Sequence, residues 1–102
     1  MKQKFEPGQI SKVIDQALVY QCACPAQVCR AIFELRELHE YQMGCANDTA
    51  NDVKVHQAIA RAAEQAHTLM EDCLSEILRI EGWNPDTLEM PEALRKKSGK
   101  VL

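Results

Sequence analysis

The sequence predicts an all-α protein built on a long antiparallel helical hairpin, and three observations predict it. Aromatics make up only 5% of the chain, while Ala, Leu, Ile, Glu and Gln are common, a balance that favours helix over sheet. The stretch from Asp52 to Glu81 contains neither Pro nor Gly and spaces its apolar residues in alternating steps of three and four. A second segment of the same period precedes it, across the turn-forming stretch "GCANDTAN".

The first half of the chain supports two helices, Gln9–Ala23 and Pro25–Met43, with Gly44 as the stop. Proline disfavours helical backbone at Cys24 and suits the first position of a new helix. Yet the apolar phase runs through the proline without a slip: Ile14, Leu18, Gln21, Pro25, Val28, Ile32, Leu35, His39, Gln42. Two separate helices need not share a register. The shared phase therefore predicts one long helix kinked at Pro25, at a cost of about 3 kcal/mol unless packing compensates.

The second half is more regular. His56, Ile59, Ala63, Ala66, Met70, Cys73, Ile77 and Ile80 form one stripe. Asn51 or Asp52 is placed to cap the start, and Gly82 stands where a C-cap glycine belongs. With the loop reversing the chain, level positions add to about 95, which sets Leu18 against Ile77, Ile32 against Ala63 and His39 against His56. After Trp83, Asn84–Met90 has the composition of a linker, and Pro91 starts a short helix in "PEALRKK". The expected organisation is thus a helical unit over 1–83 and a tail over 84–102.

A two-helix hairpin cannot cover its own apolar surface. The column Ala17, Cys24, Ala31, Leu38 and Cys45 has no partner within it, so the expectation is a homodimer in which two hairpins form a four-helix bundle. The competing fold turns the first segment back at Cys24–Pro25 and makes a compact three-helix bundle.

Charge and length narrow the function classes. The net charge of −3 includes no basic face beyond "RKKSGK" near the C-terminus, which argues against nucleic acid as a partner. The N-terminus has no apolar run of the signal-peptide kind, and no stretch approaches the roughly 18 apolar residues of a membrane span. A cytoplasmic chain with reduced thiols is the expectation; five cysteines, an odd number, do not suggest a disulfide framework.

The cysteines, histidines and two glutamates are the candidates for chemistry. Cys22, Cys24 and Cys29 lack the Cys-x₂-Cys spacing of a zinc site. If the chain turns at Pro25, the geometry admits a Cys/His zinc site that joins them to Cys73 and His67. The leading expectation is that they act as small apolar residues. Cys24, at a helix N-terminus, is the best placed for a thiol redox switch. His39 and His56, level on facing helices, are candidates for zinc or iron binding or for a hydrogen-bonded pair.

Glu64 and His67 form a Glu-x-x-His pair. Together with Glu34 on the preceding helix this resembles the encapsulated ferritins. The resemblance rests on three residues and a topology, and implies an iron site completed by dimerisation. The helical phase gives a different orientation: Glu64 lies roughly 100° or more from the centre of its stripe, and Glu34 further from its own. Both carboxylates are expected to face solvent.

No nucleophile elbow, phosphate loop or Ser/His/Asp arrangement is present, so an enzyme is not expected. The leading expectation is a non-catalytic binding or structural protein acting through its dimer, with another protein as a further partner. A metal-binding protein and a thiol switch are the alternatives.

Overall fold

The computed structural model describes residues 1–19 and 23–94. The described elements are all helical: α1 is Pro7–Val19, α2 is Ala23–Gly44 and α3 is Ala50–Glu81. No strand occurs among the described residues. The predicted all-α class and the long helix pair are both present.

α1 begins two residues earlier than the periodicity suggests, because Pro7 takes the first helical position, where a missing N–H is no loss. Gln9 Oε1 then reaches back to accept from the Glu6 N–H at 2.8 Å, the reciprocal half of a capping box. α3 likewise begins before the expected caps. Its N-cap is Thr49, whose Oγ1 accepts from the Asp52 N–H at 3.1 Å while Asp52 Oδ2 accepts from the Thr49 N–H at 3.1 Å. Gly82 closes α3 as predicted, with φ 81° in the left-handed region, and the Trp83 N–H donates to the Leu78 carbonyl at 2.9 Å.

The continuous helix kinked at Pro25 is corrected by one contact. Arg36 Nη2 donates to the Phe5 carbonyl at 2.6 Å, although the two residues are 31 apart in sequence. Along an unbroken helix they would be separated by about 46 Å. α1 therefore lies antiparallel along α2, as in the three-helix alternative. Pro25 sits at the third position of α2, within the first turn, where it breaks no internal hydrogen bond. The fold-back buries Ile10, Val13 and Ala17 completely, a line one position round from the predicted Ile14–Leu18; Leu18 is 47% exposed. The unbroken phase through the proline was a coincidence of spacing.

The register of the hairpin also differs. Arg36 meets His67, His39 meets Glu64 and Asn47 meets His56. Each pair of numbers adds to 103, so α3 is slid about two turns relative to the predicted pairing. At this register residue 59 is level with Gly44. The first turns of α3 therefore extend past the end of α2, accompanied by the loop 45–49. The inward face of α3 is rotated by about one residue, to Ala60, Ala63, His67, Glu71, Leu74 and Leu78.

The core lies at one end of the molecule, whose longest extent is 58 Å. There Ile10, Val13 and Ala17 of α1, Cys29 and Ile32 of α2 and Leu74 and Leu78 of α3 form one buried cluster, in which α2 packs against both other helices. The segment expected to be a linker joins this core: Leu88 and Met90 are buried, as is Trp83 just ahead of it. Asn84 folds it, its Oδ1 accepting from the N–H groups of Asp86 and Thr87, and the Met90 N–H donates to Gln16 Oε1 of α1 at 3.1 Å. A helical turn, 92–94, follows Pro91 as expected. Among the described helices only α2 and α3 extend beyond the point where Phe5 meets Arg36.

Candidate functional site

The boundary between the covered and bare halves of the hairpin is marked by a buried polar cluster. Arg36 of α2 and Glu71 of α3 form an ion pair at 3.1 Å, with side-chain exposures of 11% and 6%. Glu71 Oε2 also accepts from the N–H groups of Lys4 at 2.8 Å and Phe5 at 3.0 Å. With Arg36 held on the Phe5 carbonyl, the chain ahead of α1 is tied at three points. Isolated buried charges are costly, and here each partner also bonds to backbone groups, although Arg36 Nη1 is left without a hydrogen-bond partner.

His67 lies one turn from Glu71 and is fully buried. Arg36 Nε donates to its Nε2 at 2.9 Å, so Nε2 is unprotonated and the ring proton resides on Nδ1. That Nδ1–H faces Glu71 Oε1 at 3.5 Å, too far for a good hydrogen bond. Burial pushes the imidazole pKa below its usual 6.5; Glu71 opposes the shift and Arg36 adds to it. Protonation in the fold would set a second cation against Arg36 and remove its acceptor.

A pH dependence follows. The histidine's folded pKa is depressed, so the unfolded chain binds more protons below about pH 6.5. Stability is full above that value and falls as the pH drops beneath it. The urea midpoint should therefore be lower at pH 5.5 than at pH 7.5, and His67→Gln should lose most of this dependence. An equal drop in the variant would assign the effect to other groups.

The remaining predicted ligands disperse. His39 Nε2 pairs with Glu64 Oε1 at 2.9 Å, and His56 Nδ1 with Asn47 Oδ1 at 2.8 Å. The expected His39–His56 level is about 12 Å off along the axis, as the eight-residue difference in register requires. Glu34 and Glu64 are exposed, as their helical phase predicts. Cys24 is exposed at the start of α2, Cys29 is fully buried and Cys73 is half-buried; all three thiols are free, and Cys22 lies outside the described residues. Among the described residues no three of His, Cys, Asp and Glu are grouped so as to hold a metal ion. His67 in particular has its Nε2 lone pair occupied by Arg36.

Burial raises the Cys29 thiol to about 11, which leaves little thiolate at neutral pH. Exposed Cys24 should react readily with a disulfide reagent such as dithionitrobenzoate, and Cys29 should react only on unfolding. Mass mapping of the labelled peptides checks this; rapid native labelling of Cys29 would contradict its burial.

The surface feature with the clearest chemistry lies on the bare half of the hairpin. Leu35 and Leu38 of α2 and Ala58, Ile59, Ala62 and Ala66 of α3 line an open groove that is almost wholly apolar. Near the same end Tyr41, Met43 and Val55 are 70%, 69% and 53% exposed. Leu38 of the predicted uncovered column is 40% exposed, but Ala17 of the same column is buried where α1 folds back onto α2. The groove has two leucines along the α2 wall and, along the α3 wall, alanines with Ile59 among them.

No family model matches the chain, and neither a curated protein nor a solved structure matches it.

Proposed function

We propose that the chain is a non-catalytic helical binding protein that works as a homodimer, its bare hairpin halves pairing into a four-helix bundle. The apolar groove carries this reading. Two leucines line one wall and alanines with Ile59 the other, so a two-fold axis would set the leucines of each copy against the alanine-rich wall of its partner. Exposed Tyr41, Met43 and Val55 near the same end extend the apolar surface that a second copy would cover. The proposed setting is the cytoplasm, where free thiols such as Cys24 stay reduced. Among the described residues no helix is long and apolar enough to cross a membrane.

Light scattering tests the assembly. At micromolar concentration the mass should be twice the 11.5 kDa of one chain, and Leu38→Glu should return it to a monomer with helicity unchanged. Leu38 is 40% exposed, so the substitution does not enter the core. A monomeric wild type would overturn the reading.

A second reading attaches to His39 and Glu64, which the fold does bring together. Two ligands are too few for zinc or iron, so a site would need the same pair from a second copy. Elemental analysis of the purified dimer tests it: stoichiometric metal, lost in His39→Ala, supports it, and metal-free protein ends it.

A further inference from the structure

At the end of the molecule away from the bare hairpin, the chain ahead of α1, the last turns of α3 and the Trp83–Leu88 segment enclose a cleft of about 440 Å³. This is within the size range of small-molecule sites. We propose that it binds a small amphipathic carboxylate, an acyl or aryl acid, with the apolar body in the cleft and the acid group on Arg79.

The lining carries the proposal. Phe5, Leu78, Trp83, Pro85 and Leu88 supply the apolar surface. Of the nine lining residues two are cationic, Lys4 and Arg79, and none is acidic, on a chain with more acidic than basic residues. The two cations are not equivalent. Lys4 Nζ already pairs with Asp72 at 3.6 Å, whereas Arg79 has no ion-pair partner among the described residues. A guanidinium matches a carboxylate through two parallel hydrogen bonds, a fit that an ammonium lacks. The indole N–H of Trp83 is taken by Glu81 Oε1 at 2.8 Å, so the ring offers the cleft only apolar surface.

The walls are held in place before any ligand arrives. Glu71 fixes Lys4 and Phe5 on one side through their N–H groups. On the other, Leu88 is held with φ 58° by its N–H bond to the Asn84 carbonyl at 2.9 Å. A preformed cleft avoids the ordering cost that weakens binding to mobile surfaces.

Trp83 is the chain's single tryptophan, so its fluorescence reports this cleft without a label. The test is a titration of the full chain with decanoate below its micelle concentration, with decanol and decylammonium as matched probes, and calorimetry for stoichiometry. The expected result is saturable binding of one decanoate per chain, at least tenfold tighter than decanol or decylammonium. Arg79→Gln should weaken decanoate at least tenfold and bring it level with decanol, while the circular dichroism stays unchanged. No saturable binding, equal affinity for decanol, or an unaltered affinity in Arg79→Gln would each overturn the proposal. Leu38→Glu, which alters only the dimer groove, should bind decanoate as the wild type does; loss of binding in that variant would place the ligand elsewhere.

Discussion

Glu71→Ala is expected to destabilise the protein by about 3–5 kcal/mol, the cost of leaving one partner of a buried ion pair uncompensated. Arg36 would keep its bond to the Phe5 carbonyl but lose the carboxylate at 3.1 Å, and its Nη1 is already buried without a hydrogen-bond partner. Lys4 and Phe5 would lose the acceptor of their N–H groups as well. Denaturant unfolding measures the loss. The double variant Arg36→Met/Glu71→Leu separates charge from packing, because replacing both members of a buried pair by apolar residues is often neutral or favourable. The double variant should thus regain part of the stability lost in the single one, the unpaired Lys4 and Phe5 N–H groups and His67 Nε2 keeping it below the wild type. A loss below about 1 kcal/mol in Glu71→Ala would mean that water reaches the cluster and screens the pair, as it does at protein surfaces.

The second large effect is expected at Leu74→Ala, about 2–5 kcal/mol from lost transfer energy and the cavity left behind. Leu74 is fully buried in the cluster that joins all three helices to the C-terminal segment. For a domain of this size such a loss lowers the melting temperature by on the order of 10 °C or more. Leu69 on the same helix is 69% exposed, and Leu69→Ala should cost less than about 0.5 kcal/mol. Thermal melts of the two variants side by side check the inward face of α3. Equal losses would mean that the face is rotated from Leu74 toward Leu69.

The elements were legible where local chemistry decides them. α3 and its Gly82 cap follow from an unbroken period and one glycine, and both are present. The start of α1 was legible too, in the "EPGQ" that puts proline at the first helical position, though apolar spacing directed attention to Gln9. What the chain did not reveal were relations between elements. The fold-back depends on how well Ile10, Val13 and Ala17 fit against α2 and α3, which is a property of three helices together. The register was missed because its determinants, Arg36 and Glu71, are charged, and a pairing scheme built on apolar matches passes over them. One signal was available: Glu71 stands four residues after His67, on the same side of the helix. Two polar residues in succession on an otherwise apolar line, with an arginine on the facing helix, point to a buried network.

The uneven coverage of α3 divides its 32 residues into two mechanical regimes. From His67 onward the helix is held by α2, by the chain ahead of α1 and by a core shared with α1 and the Trp83–Met90 segment, and opening it means opening that core. Toward Ala50 it rests on α2 and the loop, then extends past the end of α2. Local opening there exposes little new apolar surface and so needs little free energy. Amide hydrogen exchange should therefore be graded along one continuous helix, fast at the loop end and slow near Leu74. If two copies pair through the same half, association would slow exchange at the residues that exchange fastest in the monomer. Order at that end of the chain would then depend on protein concentration, and the stability of the arm would become a readout of assembly.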